Sequence, residues 1–146
     1  TVTLQESAME PTYSVSEKFF VNRALYKVSS PKRGDVIVFK TSASDSAALH
    51  IRRVIGLPGE TVQVKDGKIY INGKVYEENG AYQDMTDGGL ANSAITLESG
   101  EYFVLGDNRN NSEDSRFSDI GNISKKYIVG KVWFTVSPKN KIGFIK

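Results

Sequence analysis

Cysteine is absent from this 146-residue chain, and histidine occurs once, at His50. Without thiols there is no disulfide, no thiolate metal site and no Cys–His nucleophile pair. With a single imidazole, a two-histidine metal site is excluded as well, and a Ser–His–Asp triad would have to use His50. No cofactor and no metal are expected. No run of 18 or more apolar residues occurs, so no segment is long and apolar enough to cross a bilayer as a helix. Carboxylates are scattered, without a pairing that suggests glycosidase chemistry. Charge of one sign is also scarce: 19 Lys and Arg stand against 17 Asp and Glu, a net charge of +2. That is compatible with an anionic membrane surface and too weak to indicate nucleic acid. The length fits one domain, residues 1–146, able to bury roughly two thirds of the surface its unfolded chain exposes. The sequence opens Thr-Val-Thr-Leu without an initiator Met, as a piece of a longer protein or a processed secreted chain would.

What is present is mostly β. Residues 36–40, 49–55, 61–64, 68–71, 74–77, 101–105 and 130–134 are short runs rich in Val, Ile, Tyr and Phe, nearly all bounded by turn residues. Asn72-Gly73, between Lys-Ile-Tyr-Ile and Lys-Val-Tyr-Glu, predicts a type I′ hairpin, because that turn needs positive φ at both central positions. Asp66-Gly67 predicts a second tight turn. Helical signals are few: residues 123–128 suit one short turn capped by Asn122 or Ser124. The stretch 80–99 has no clear period and reads as a long surface loop, with room for a small strand pair. The expected fold is all-β, with coiled, partly closed antiparallel sheets and little helix.

Four segments stand out: Ser-Ala-Met-Glu-Pro-Thr at 7–12, Arg-Gly-Asp-Val-Ile-Val-Phe at 33–39, Arg-Arg-Val-Ile-Gly-Leu-Pro-Gly-Glu at 52–60 and Gly-Asp-Asn-Arg-Asn-Asn-Ser-Glu-Asp-Ser-Arg at 106–116. Each alone could be a turn or a polar loop. In this order the sequence resembles the type I signal peptidases, the leader peptidases that cleave with a Ser–Lys dyad, and most closely their small Gram-positive type. The resemblance covers nearly the whole chain apart from 81–99 and the final stretch. It implies the signal-peptidase/LexA-like β-fold and a membrane anchor ahead of the catalytic domain. It also implies a place at the extracytoplasmic face of the plasma membrane, contacted through that anchor and nearby apolar residues.

The resemblance assigns roles residue by residue. The family's nucleophile position is Ala8 and its general-base position is Arg52. Ser112 falls on the serine that orients the base, and Asp114 and Arg116 fall on an ion pair beside the site. Asp107 and Arg109 share that polar loop and are expected to hold its shape. Substrate in the family is the cleavage segment of an exported precursor, bound as an added β-strand. Here residues 2–7 and 49–51 would flank it, with Ile51, Met9 and Tyr13 as apolar pocket walls or as ordinary core.

Two departures bear on chemistry. Ala8 has no hydroxyl, and Ser7, one residue away in an extended strand, would point to the opposite face. Arg52 cannot lose its proton, whereas a lysine can be brought near neutrality by burial. Glu6, where the family keeps a small residue or a second donor, would oppose charge developing on an oxyanion. His50 shares a strand face with Arg52 and could stand in as base, although its spacing to Gly56-Leu57-Pro58-Gly59 is unlike that of the histidine-using branch. Its plain reading is a polar strand residue facing solvent. The leading expectation is therefore a signal-peptidase-type endopeptidase domain that is inactive in this chain, with a natural non-catalytic binder as the alternative. Ala8 suits a deliberate Ser→Ala replacement. Arg52 suits a natural relative that binds precursors without cutting, as a chaperone in surface-protein or pilus assembly.

Overall fold

A computed structural model describes residues 1–43 and 46–145. Its strands are β1 (Val2–Thr3), β2 (Lys18–Asn22), β3 (Val36–Phe39), β4 (His50–Gly56), β5 (Thr61–Lys65), β6 (Lys68–Ile71), β7 (Lys74–Val75), β8 (Ile95–Thr96), β9 (Glu101–Leu105), β10 (Ile123–Ser124), β11 (Ile128–Ser137) and β12 (Gly143–Phe144). One large antiparallel sheet runs β1-β2-β11-β3-β4-β9-β10, with β12 also on β11, and curls as half a barrel. A smaller sheet runs β7-β6-β5-β8. The only α-helix among the described residues, α1 (Leu25–Val28), is a single turn.

The two predicted tight turns form for the stated reason. Asn72 and Gly73 have φ of 52° and 81°, and Asp66 and Gly67 have 53° and 77°. β6 and the start of β7 then pair Ile71 with Lys74 and Tyr70 with Val75. Strand β3, all apolar, is buried at every position, as a strand covered on both faces must be. Residues 123–128 are only half as expected. Lys125–Tyr127 makes a 3₁₀ turn, but Ile123 and Ser124 pair with β9, and Ile128 opens the long strand β11.

The stretch 80–99 is not simply a surface loop. It holds a 3₁₀ turn at Gly89–Asn92 and one short strand, β8, on the edge of β5, rather than a strand pair of its own. Met85, Ala91 and Leu97 from it are buried in a core with Ile55, Val62, Phe103 and Leu105. Three scattered apolar residues in a polar context carry no period, which is why the sequence pattern hides them.

Two further cores flank the large sheet. Val2, Leu4, Met9, Tyr13, Phe19, Val38, Ile51 and Val132 fill one; Tyr26, Ile37, Phe39, Val54, Tyr102 and Val104 fill the other. On β2, β11 and β12, by contrast, Phe20, Trp133 and Phe144 are exposed and stack on one another and on Phe134.

Phe103 is fully buried where β9 meets the smaller sheet. Phe103→Ala should cost about 3–5 kcal/mol, transfer and cavity terms combined, read as a lower urea midpoint. A midpoint within error of the parent would mean that this core does not hold the sheets together.

Candidate active site

Strand β4 is the spine of the site. The Val54 N–H donates to the Asp35 carbonyl beside β3 at 2.8 Å. Main-chain groups alternate in direction along an antiparallel strand, so those of Ile51 and Arg53 face the other edge. There Arg53 is opposite Leu105, and the pairing with β9 extends from that point toward Gly56. β9 thus leaves the edge of residues 50–52 uncovered. Side chains alternate as well: Ile51 enters the core with Met9 and Tyr13, while His50 and Arg52 share the opposite face.

On that face Glu6 joins the two. Its Oε1 is 2.8 Å from His50 Nδ1, and its Oε2 accepts from Arg52 Nη1 at 2.5 Å. Arg52 also donates from Nε to the Glu113 carbonyl at 2.7 Å and from Nη1 to the Ile51 carbonyl at 2.7 Å. Its guanidinium is only 1% exposed. A buried charge of this kind persists only with an opposite charge and hydrogen bonds around it. Burial pushes the Glu6 carboxyl up, but the His50 hydrogen bond and the Arg52 charge outweigh it and hold the group below its ordinary value of 4.5. His50 is therefore not a free polar strand residue: its side chain is 17% exposed, tied to Glu6 and laid 5.7 Å from the Phe39 ring.

Ser7–Met9 is a 3₁₀ turn rather than part of an extended strand. The expected flanking strand over 2–7 reduces to Val2–Thr3, paired with β2. Side chains at positions 7 and 8 are then about 120° apart, not opposed, and both border the same cleft. Ala8 is 4% exposed. Its carbonyl accepts from the Asn108 N–H at 2.8 Å, and the Ser7 carbonyl accepts from Asn108 Nδ2 at 3.2 Å. Gly106 makes this approach possible. A Cβ there would lie 2.1 Å from Ser112 Oγ and 2.5 Å from the Ala8 carbonyl oxygen.

The polar loop after β9 is a set of satisfied charges. Asp114 is fully buried and accepts from Arg116 Nε and Nη2, both at 2.9 Å, from the Gly106 N–H at 3.0 Å and from Ser112 Oγ at 2.8 Å. The Ser112 hydroxyl is thus turned to Asp114. Asp107 takes a two-pronged bond from Arg53 at 2.9 and 2.8 Å. Arg109 donates from Nε to the Gly106 carbonyl, pairs with Glu78 and lies 4.3 Å over the Tyr82 ring. Glu6, Ser7, Ala8, Arg52, Ser112 and Phe117 are among the residues lining a cleft of about 540 Å³. Met9, Tyr13 and Ile51 do not line it. The roles of Asn108, Glu78, Tyr82 and the Glu113 carbonyl had no signal in the sequence, because each partner lies far away along the chain.

The cleft brings Ala8, at the family resemblance's nucleophile position, and Arg52, at its base position, to one lining. Ala8 offers no nucleophile. Arg52 offers a fixed positive charge, which can bind an acceptor but cannot accept a proton.

Comparison with known families matches residues 1–137 to the signal peptidase family, peptidase S26. A probable signal peptidase I-2 from Synechocystis is 32% identical over 97% of this chain, and the chain spans 65% of that protein's length, just under two thirds. The signal peptidase I of Leptolyngbya laminosa is 38% identical over 96% of the chain and 70% of its own length. Signal peptidase I T of Bacillus subtilis is 36% identical, over 95% and 74%. A crystal structure of a signal peptidase I from Enterococcus faecalis, 32% identical, superposes with a TM-score of 0.53 over 70% of this chain and 96% of the other.

Two outcomes follow from the geometry. Gly106→Ala forces the Ala8 main chain or Ser112 to move and should cost about 3 kcal/mol or more, the upper range for overpacking; adding Ser112→Gly should recover part of it. Glu6→Gln leaves the Arg52 guanidinium without its counter-ion. The loss should be about 2–3 kcal/mol at pH 7, less than for a fully buried pair because Glu6 is one-third exposed. Since the folded Glu6 carboxyl titrates below 4.5, its contribution is full above that pH and fades as pH falls through the depressed value. Denaturant titrations across pH 2.5–7 should therefore show the gap between parent and Glu6→Gln closing on the acid side. A gap that stays constant would rule out the ion pair as its source.

Proposed function

The chain belongs to the signal peptidase family, and we propose that it uses that family's frame to hold the cleavage segment of an exported precursor without cutting it. The observation that carries this reading is Arg52. At the base position a guanidinium is locked between Glu6 and the Glu113 carbonyl, next to Ala8. A general base must give up and take a proton near the working pH, and arginine does neither. Glu6 holds His50 at Nδ1, which leaves Nε2 as the ring nitrogen that could take a proton, but Ala8 gives it no hydroxyl to deprotonate. Ser7 has its hydroxyl 3.5 Å from Asn111 Nδ2, an amide that cannot act as a base.

The frame around this centre supports peptide recognition. The edge of β4 at 50–52 that β9 leaves uncovered is where an extended segment would add, opposite residues 2–7. Ile51, with Met9 and Tyr13, would give that edge its apolar backing. Ser112 and the Asp114–Arg116 pair would keep the floor of the cleft in shape. A peptide bonding the Ile51 carbonyl would share that oxygen with Arg52 Nη1 or displace it. The partners proposed are signal-peptide-bearing precursors, including surface-protein or pilin precursors awaiting assembly. The place proposed is the outer face of the plasma membrane.

A second reading is favoured by the intact nucleophile turn. The Ala8 carbonyl is still pinned by Asn108 and the Gly106 approach is still open, so a serine at position 8 would sit on an unaltered backbone. On this reading the lineage is a protease whose dyad has been replaced.

Both readings meet in one experiment. Incubated with a signal-peptide substrate, the parent chain and Ala8→Ser should show no cleavage, while calorimetric titration of a precursor peptide into the parent should show binding. The Ala8→Ser/Arg52→Lys double variant restores both chemical groups, and cleavage by it alone would assign the loss to the dyad. Absence of peptide binding by the parent would overturn the holding function, whatever the revertants do.

A further inference from the structure

The cleft beside Ala8 has a hydrogen-bond polarity of its own. Glu6, Ser7, Ala8 and Arg52 form its near rim, while the loop after β9 and the stretch 80–99 build its far side through Thr86, Asp87 and Phe117. Those two far elements are fastened together. The Thr86 N–H and hydroxyl donate to Asn110 Oδ1, Asn110 Nδ2 donates to the Asp84 carbonyl, and the Leu90 N–H donates to the Arg116 carbonyl at 2.7 Å. Gly89 permits that last contact, since a Cβ there would lie 2.2 Å from the Arg116 carbonyl oxygen. The far side is thus a built wall and not a loose loop.

The donors on these walls are turned inward. Arg52, Arg109 and Arg116 each face a carboxylate, from Glu6, Glu78 and Asp114 in turn, and all three are at most 2% exposed. The Ser112 hydroxyl donates to Asp114, the Thr86 hydroxyl to Asn110 and the Asn111 amide to Ser7 Oγ. What these groups keep for a ligand is oxygen: the lone pairs of the Ser7, Thr86 and Ser112 hydroxyls and the Asn111 side-chain carbonyl. The charge left over is of one sign. Asp87 and Glu113 line the cleft, are exposed, and take part in no ion pair among the described residues. Every cation lining the cleft, by contrast, has its carboxylate. On a chain of net charge +2 this is a local reversal of sign.

A wall rich in acceptors, poor in donors and short of positive charge suits a ligand of the opposite kind. An ammonium brings three donors and no acceptor, and a guanidinium brings five and no acceptor. A carboxylate would meet lone pairs and like charge. An apolar side chain would strip water from the acceptors and give them no hydrogen bond in return. The cleft is also continuous with the edge of β4 that β9 leaves uncovered, because Arg52 belongs to both. An extended segment added along residues 50–52 would therefore run past Ala8 into it. There Phe117 offers an apolar wall for the stem of a long side chain.

We infer that the cleft selects a basic side chain: the segment held at β4 carries Lys or Arg where it runs past Ala8, and Asp87 and Glu113 receive it. This rests on the peptide-holding reading and adds the chemistry of what is held. The test is calorimetric titration of the parent chain with a cleavage-segment peptide blocked at both ends. Its versions carry Lys, norleucine or Glu at the two residues past the position facing Ala8. The Lys version should bind about tenfold tighter than norleucine, the effect of two exposed ion pairs, and Glu should bind more weakly than both. The preference should shrink as salt rises. Two lysines moved ahead of that position should give no comparable gain. Asp87→Asn/Glu113→Gln should erase the preference, whereas Asp66→Asn/Glu98→Gln, an equal change of net charge away from the cleft, should keep it. Equal binding of the Lys and norleucine versions would overturn the inference and leave the holding function standing. No binding of any version would remove the holding function, and the inference with it. Equal loss in both double variants would make the preference one of net charge and overturn the inference. So would tight binding of a norleucine peptide that starts, unblocked, at the residue past Ala8, because the cleft would then be reading a chain's α-ammonium and not a side chain.

Discussion

A guanidinium that is 1% exposed sets the terms for everything around the cleft. Arg52 cannot shed its charge, so the fold must supply a counter-charge and acceptors at fixed places. Glu6 brings the charge, and the carbonyls of Glu113 and Ile51 bring the acceptors. These partners come from the N-terminal segment, the loop after β9 and β4 itself. The same side chain therefore ties together three parts of the chain that share no strand pairing at that point. A lysine could serve the Glu6 contact but not all of these at once, since its ammonium is a compact point charge and not a planar fork.

The loop after β9 follows the same logic one layer out. Asp114, Asp107 and Glu78 each absorb an arginine, and Gly106 lets the Ala8 main chain come against that loop. Such pairs add little net stability over apolar packing of similar volume. Their geometry is what they contribute, because a two-pronged arginine–carboxylate bond fixes direction as well as distance. A cleft lined by satisfied charges keeps its shape whether or not a reactive group stands in it. That is how a well-formed cleft persists around Ala8 and Arg52.

How far this was legible in the sequence depended on the range of the signal. Asn72-Gly73 and Asp66-Gly67 announce their turns locally, and β6 and β9 have the bounds that alternation and turn residues suggest. The ordered segments at 7–12, 33–39, 52–60 and 106–116 led to the family. What could not be read were features made by distant partners: β2, whose Lys-Phe-Phe-Val-Asn run lacks a turn signal to bound it, and the burial of Met85, Ala91 and Leu97 within an aperiodic stretch. Likewise, an extended reading of Ser7 follows from its neighbours, yet the contact with Asn108 across the fold favours a 3₁₀ turn instead.

Position 6 gains most from the three-dimensional view. On the sequence alone, Ala8, Arg52 and Glu6 look like three separate departures from a working protease, with Glu6 a carboxylate where an oxyanion should be favoured. In the fold Glu6 and Arg52 are joined. Glu6 is the counter-ion that Arg52 requires, and without it the guanidinium would be buried with no opposite charge. Arginine at 52 and glutamate at 6 are thus energetically coupled, in the way neighbouring charges are. The pair also spans the gap between the N-terminal segment and β4, the gap an extended peptide would enter, and it holds the Ile51 carbonyl that such a peptide would need. The interaction that rules out a lysine-type base therefore also sets how readily the edge opens. An extended peptide added at that edge would meet Arg52 first, at the Ile51 carbonyl.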